Sequence, residues 1–149
     1  MMSKLIRRPG RLSVALLLLL LSMPILAEPA SAVLVEDGYV RELIPGQHNT
    51  AAFMTLVNNT DQEQVILAVT AAGVERVELH QHLHRPQGMT MEAVNKVTIA
   101  AGERFEFAPG GYHVMLIGVK QASVGQLLAL QLQLANGEVV KRLLPVQGY

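Results

Sequence analysis

Beyond residue 32 the chain holds five histidines, His48, His80, His82, His84 and His113, and four methionines, Met54, Met89, Met91 and Met115. Most of them fall in three short segments. In Val77-Glu78-Leu79-His80-Gln81-His82-Leu83-His84, an extended backbone puts Glu78, His80, His82 and His84 on one face, because side chains alternate along a strand. Val77, Leu79 and Leu83 then share the other, apolar face. The same alternation pairs Met89 with Met91 in Gly88-Met89-Thr90-Met91-Glu92, and His113 with Met115 in Gly-Tyr-His-Val-Met-Leu. Taken singly, each has an ordinary explanation: a histidine on a polar face is solvated, and a methionine in an apolar run fills core. Met54 in Ala-Ala-Phe-Met-Thr-Leu reads as core and His48 in Gly-Gln-His-Asn as an exposed loop residue. Together they select a metal. Thioether sulfur is a poor ligand for Mg²⁺, Ca²⁺ or Mn²⁺ and a good one for Cu(I), while imidazole suits both copper oxidation states.

What is missing narrows the chemistry further. The chain has no cysteine, which excludes thiol nucleophiles, disulfides, zinc ribbons, iron-sulfur ligation and a blue-copper centre, whose trigonal plane needs a thiolate. Serine occurs once beyond residue 32, as Ser123, outside any Gly-x-Ser-x-Gly elbow. Neither His-Glu-x-x-His nor a phosphate-binding glycine motif is present. The pattern fits a carrier and not an enzyme.

Residues 1–32 read as a secretory signal peptide: Lys4, Arg7, Arg8 and Arg11 precede an uncharged stretch from Leu12 to Ala27, followed by Ala30-Ser31-Ala32 as small residues for cleavage. That stretch of 16 residues falls short of the roughly 20 apolar residues that span a bilayer. A lipid anchor at the cleavage site needs a cysteine, which the sequence lacks. The expectation is a periplasmic domain over 33–149 without a membrane span. Without the leader, eight basic residues face eleven acidic ones, a net charge of −3. That balance, with no basic cluster, argues against nucleic acid as a partner.

The elements that must position these side chains are short. Apolar-polar alternation predicts strands over 33–43, 51–58, 64–72, 75–84, 90–99, 103–107, 112–119, 126–134 and 138–145. They are separated by turn signals at Pro45-Gly46, Asn58-Asn59-Thr60-Asp61, Ala101-Gly102, Pro109-Gly110-Gly111 and Asn136-Gly137. Gln131-Leu132-Gln133-Leu134, then Asn136-Gly137, then Val139-Val140 reads as a hairpin closed by a two-residue turn. The segment 64–73 is open to a second reading as a short helix. The whole predicts a single all-β sandwich or barrel domain.

The spacing His80, ten residues, Met91, twenty-one residues, His113, one residue, Met115 is H-x10-M-x21-H-x-M. It resembles the signature of the periplasmic copper chaperones called PCuAC, linked to the Cu_A centre. Flanking stretches resemble the same family: Val35-Glu36-Asp37-Gly38-Tyr39-Val40-Arg41, Ala51-Ala52-Phe53-Met54-Thr55-Leu56, Arg76-Val77-Glu78-Leu79-His80, and Phe107-Ala108-Pro109-Gly110-Gly111-Tyr112-His113-Val114-Met115-Leu116. The resemblance implies a cupredoxin-like Greek-key β-sandwich or barrel. It implies Cu(I) held by His80, Met91, His113 and Met115, and delivery of copper to an acceptor, an oxidase subunit or another chaperone, that serves the copper centres of a terminal cytochrome c oxidase. Where many members carry a methionine near position 82, this chain has His82, followed by His84. These two and Met89 are additional ligand candidates, with Cu(II) at an accessory histidine site. The alternatives are a copper-buffering or resistance protein without a dedicated acceptor, and a metal-free β-sandwich interaction module.

Overall fold

The structure is a computed structural model that describes residues 31–148. The expected signal peptide, apart from Ser31 and Ala32, lies outside the described residues. Ten strands follow one another: β1 (Val33–Arg41), β2 (Asn49–Asn58), β3 (Gln64–Ala71), β4 (Arg76–Arg85), β5 (Gly88–Val94), β6 (Val97–Ile99), β7 (Arg104–Phe107), β8 (Tyr112–Ile117), β9 (Leu127–Leu134) and β10 (Val139–Gln147). Among the described residues there is no helix.

The strands form one sheet in the order β5-β4-β8-β7-β2-β1-β10-β9-β3-β6. Long β2 pairs with β8 through Asn49 to Ala52 and with β7 through Met54 to Val57. The first and last strands meet in parallel, Val40 opposite Val146. β3 packs beside β4, so the sheet curls into a nearly closed barrel. Inside lie the alternate residues that the sequence pattern assigns to the core: Leu130, Leu132 and Leu134 of β9, Ile66 of β3, Leu56 of β2, Val114 and Leu116 of β8, and Phe107 of β7. Met54 is 2% exposed and is core, as expected.

Two expectations need correction, and the segment left open takes the strand form given first. The predicted strand 90–99 is two strands. Asn95-Lys96 breaks it, and β5 ends one edge of the sheet while β6 pairs with β3 at the other. The two pieces differ in burial: β5 is exposed almost throughout, whereas Val97 and Ile99 are buried. The Asn136-Gly137 hairpin does not close with two residues. Leu134 N–H donates to Glu138 O at 2.9 Å and Gly137 N–H to Leu134 O at 3.0 Å, and only Gly137 has positive φ, at 89°. This is the three-residue loop in which a left-handed glycine follows an ordinary turn. The open segment 64–73 is a strand, and its confusing run of Val65, Ile66, Leu67 and Ala68 reflects a bulge between Ile66 and Ala68 that interrupts the two-residue period and leaves Leu67 exposed.

One buried polar side chain ties the layers together. Asn58, 0% exposed at the end of β2, donates from Nδ2 to the carbonyls of Gln62, Ile99 and Ala100 at 2.7, 3.1 and 3.0 Å. Its Oδ1 accepts from Thr60 N–H at 3.0 Å and from the Thr60 hydroxyl at 2.7 Å. Asn58→Ala strands the buried Ile99 carbonyl and removes the donor to those of Gln62 and Ala100 and the acceptor for Thr60, and an unsatisfied buried group costs about 1–3 kcal/mol. A urea titration is expected to show a loss of about 3 kcal/mol. An unchanged midpoint would mean that water replaces the amide without cost.

Candidate metal centre

The candidate ligands come from β4, β5 and β8, which are neighbours in the sheet. Antiparallel pairing of β4 with β8 sets His80 directly opposite His113 and Glu78 opposite Met115. Pairing of β4 with β5 sets His82 opposite Met91 and His84 opposite Met89. Directly opposed residues project to the same face, so His80, His82, His84, Met89, Met91, His113 and Met115 all stand on one face of three adjacent strands. Val114 and Leu116, one residue out of phase with His113 and Met115, fall into the core.

A cavity of about 240 Å³ opens on this face, and His82, Met91, His113 and Met115 line it together with Arg41 and Phe53. The Arg41 guanidinium lies over the Phe53 ring at 5.0 Å. His113 is 4% exposed, whereas Met91 is 53% and Met89 58% exposed. The ring centroids of His80 and His113 are 5.6 Å apart, and those of His82 and His113 4.8 Å. His82 thus stands between the thioether of Met91 and the ring of His113, a more central place than the motif spacing assigns it. His84 and Met89 occupy the next rung outward and do not line the cavity. His48 is exposed, as its loop setting implied.

Hydrogen bonds decide which ring nitrogens are free. His80 Nε2–H donates to Glu78 Oε2 at 2.8 Å, since an ionised carboxylate only accepts. The lone pair then sits on Nδ1, which is buried without a partner, and His82 Nδ1 is likewise buried and unpartnered. His113 Nδ1–H donates to Gly111 O at 3.3 Å, leaving its lone pair on Nε2. Buried nitrogens without partners are costly in a finished protein, and a soft cation is one partner that would satisfy them. Glu78 is itself held by Arg76 Nε at 2.7 Å. The His80 hydrogen bond first, and the Arg76 charge after it, hold the Glu78 carboxyl below its ordinary range. Carboxylates behind ligating histidines fix the ring and its tautomer in this manner; the motif did not single Glu78 out, although its place two residues before His80 put it on the same face. Among the described residues no group of three histidine, aspartate or glutamate side chains is placed to hold a metal ion.

The loop between β7 and β8 completes the rim. Gly110 adopts φ 81°, Gly111 N–H donates to Ala108 O at 3.0 Å, and Gly111 O accepts from His82 N–H at 3.1 Å. The left-handed turn at Gly110, which a side chain would strain, therefore pins β4 to the start of β8 at the level of His82.

Burial is the main cause that pushes the His113 imidazole below its ordinary value of 6.5, with the charges of His82, His80 and Arg41 acting in the same direction against the Gly111 hydrogen bond. Between the lowered value and 6.5 the unfolded chain binds more protons than the folded one, so stability falls as pH falls through that window. The urea midpoint of the metal-free protein is expected to drop from about pH 7.5 to about pH 5, and His113→Gln is expected to flatten the drop. Equal slopes in both proteins would assign the effect elsewhere.

The family model of the LpqE-like proteins, described as "Putative lipoprotein LpqE-like", matches residues 33–146. The chain belongs to the LpqE-like family. One relative of this LpqE-like chain, from Leifsonia xyli subsp. xyli (strain CTCB07) and called "Putative lipoprotein Lxx21020", is 29% identical over 122 residues, which is 80% of this chain and 72% of that one. Among solved structures, the Cu(I) form of DR1885 from Deinococcus radiodurans is 28% identical with a TM-score of 0.60, over 79% of this chain and 81% of that one. The copper-bound PCuAC domain from PmoF2 matches with a TM-score of 0.67 at 21% identity, over 80% and 95% of the two chains. The resemblance to PCuAC proteins read from the sequence holds, and the LpqE-like chain has the cupredoxin-like β-fold expected of it.

Proposed function

We propose that this chain is a copper carrier of the cell envelope that binds Cu(I) through His80, Met91, His113 and Met115 and passes it to an acceptor protein. The observation that carries this reading is the convergence of imidazoles and thioethers from β4, β5 and β8 on one face, where Met91, His113 and Met115 line a cavity that His80 adjoins through the His113 ring, with the buried Nδ1 atoms of His80 and His82 lacking partners. The copper-bound state of the PmoF2 domain and the Cu(I) form of DR1885 support the same metal. The lipoprotein names in the family and in the Leifsonia relative support a secreted or envelope setting, which the basic and apolar leader at 1–32 makes periplasmic.

The ligand set suits transfer. Cu(I) is d¹⁰ and imposes little geometry, so two imidazoles and two thioethers can surround it. Thioethers bind without losing a proton and cannot be lost to disulfides in an oxidising compartment. With no thiolate to neutralise the ion, the site holds copper less tightly than a cysteine-containing acceptor and yields its cargo to one. The copper centres of a terminal oxidase are the destination the family resemblance implies.

An anaerobic competition titration against a Cu(I) chromophore at neutral pH tests the reading. One equivalent withdrawn from the indicator, and then surrendered to a dithiolate acceptor, is the expected result. Withdrawal without surrender would make the protein a copper buffer, and no withdrawal would leave a metal-free interaction module.

A further inference from the structure

The pairing of β4 with β5 places a second imidazole and thioether where the four-ligand site does not use them. His84 stands directly opposite Met89, one rung further out than His82 and Met91, on the same face. Opposed Cβ atoms in such a pair are about 4.5–5.5 Å apart, and same-face rungs along a strand are about 7 Å apart. Imidazole and thioether side chains bridge both distances. Exposure rises along the ladder, from buried His113 through half-buried His82 to exposed His84 and Met89. Two exposed methionines side by side on an edge strand run against the usual burial of that side chain, and no packing requires them there.

The other face of the same hairpin has a different chemistry, since Arg85 and Glu92 pair there. The charges of Arg76 and Glu78 on the histidine face lie at the far end of β4, so towards the hairpin tip the rungs His82–Met91 and His84–Met89 form a strip of nitrogen and sulfur donors leading to the cavity. Cu(I), which accepts as few as two ligands, is the ion such a strip fits.

We infer that His84 and Met89 form an outer Cu(I) site through which the ion passes to and from the inner one. This rests on the copper reading above. The step is a ligand exchange: the bonds from copper to His84 and Met89 break as bonds to His82 and Met91 form, the His82 bond then breaks as bonds to His80, His113 and Met115 form, the metal stays Cu(I), and no proton or electron moves. Two donors hold the ion weakly and four hold it firmly, so loading runs inward and an acceptor docked at the hairpin tip reverses it.

Titrating the full chain with Cu(I) under anaerobic conditions, with the methionine ε-methyl and histidine ring signals followed by NMR, tests the inference. The first equivalent is expected to shift Met91 and Met115, and the second Met89 and His84. In a chain carrying His84→Ala and Met89→Leu, first-equivalent affinity stays within twofold of the wild type, the second-equivalent shifts vanish, and Cu(I) transfer to a bicinchoninate chelator slows at least fivefold. Shifts at Met91 and Met115 with none at Met89 and His84 through two equivalents, or an unchanged transfer rate in the variant, overturn the outer site and leave the inner one standing. No shift at any methionine overturns the copper reading itself.

Discussion

Replacing Met91 and Met115 together with leucine is expected to lower Cu(I) affinity by on the order of 10³-fold or more, because each change removes a direct ligand and even an outer-shell loss costs about 10- to 100-fold. The fold should barely register the change. Met91 is 53% exposed and Met115 lines an open cavity, and methionine-to-leucine exchanges conserve volume at less than about 1.5 kcal/mol. Chelator competition and thermal unfolding of the metal-free variant measure the two effects separately. Wild-type affinity in the double variant would remove sulfur from the ligand set and with it the preference for Cu(I). The same design does not transfer to His113, which is 4% exposed and packs between the rings of His80 and His82. Its removal perturbs packing as well as ligation, so the thioethers are the cleaner probes.

The largest loss of stability is expected from Phe107→Ala. This ring is 2% exposed and lies 5.1 Å from Phe105 and 6.5 Å from Tyr112, centroid to centroid. Its strand joins β2 at Met54 and touches β8 at Tyr112, immediately before the loop whose Gly111 holds His82. Emptying that space costs about 3–5 kcal/mol by the precedent of buried aromatic truncations, a large part of the roughly 5–15 kcal/mol that holds a domain together. A denaturant titration gives the figure directly. A loss under about 1 kcal/mol would mean that Phe105 and Tyr112 collapse into the vacancy.

Much of this architecture is legible in the residues themselves. Alternation places the strands because each has one face in the core, and it also states which of His80, His82, His84, Met89, Met91, His113 and Met115 share a side. It does not state register, which depends on where a hairpin turns. With Arg85 opposite Gly88, the β4–β5 hairpin turns at Pro86-Gln87, and that alone sets His82, rather than His80, against Met91. The Pro86-Gln87-Gly88 run was the available signal for it. Burial is equally hidden: nothing about Tyr112-His113-Val114 announces that the imidazole is enclosed, because the enclosure comes from β4 and from the loop after Phe107. The break at Asn95-Lys96 escaped the pattern for a related reason. Alternation continues through it while the chain leaves one end of the sheet for the other.

The parallel contact between the first strand and the last has a kinetic meaning. Val40 and Arg41 find Val146 and Gln147 only after more than a hundred intervening residues have emerged, and pairings of such long range make folding slow. A chain that crosses a membrane from its amino end would therefore stay unclosed until its final strand arrives, and its edges would need protection from one another in the meantime.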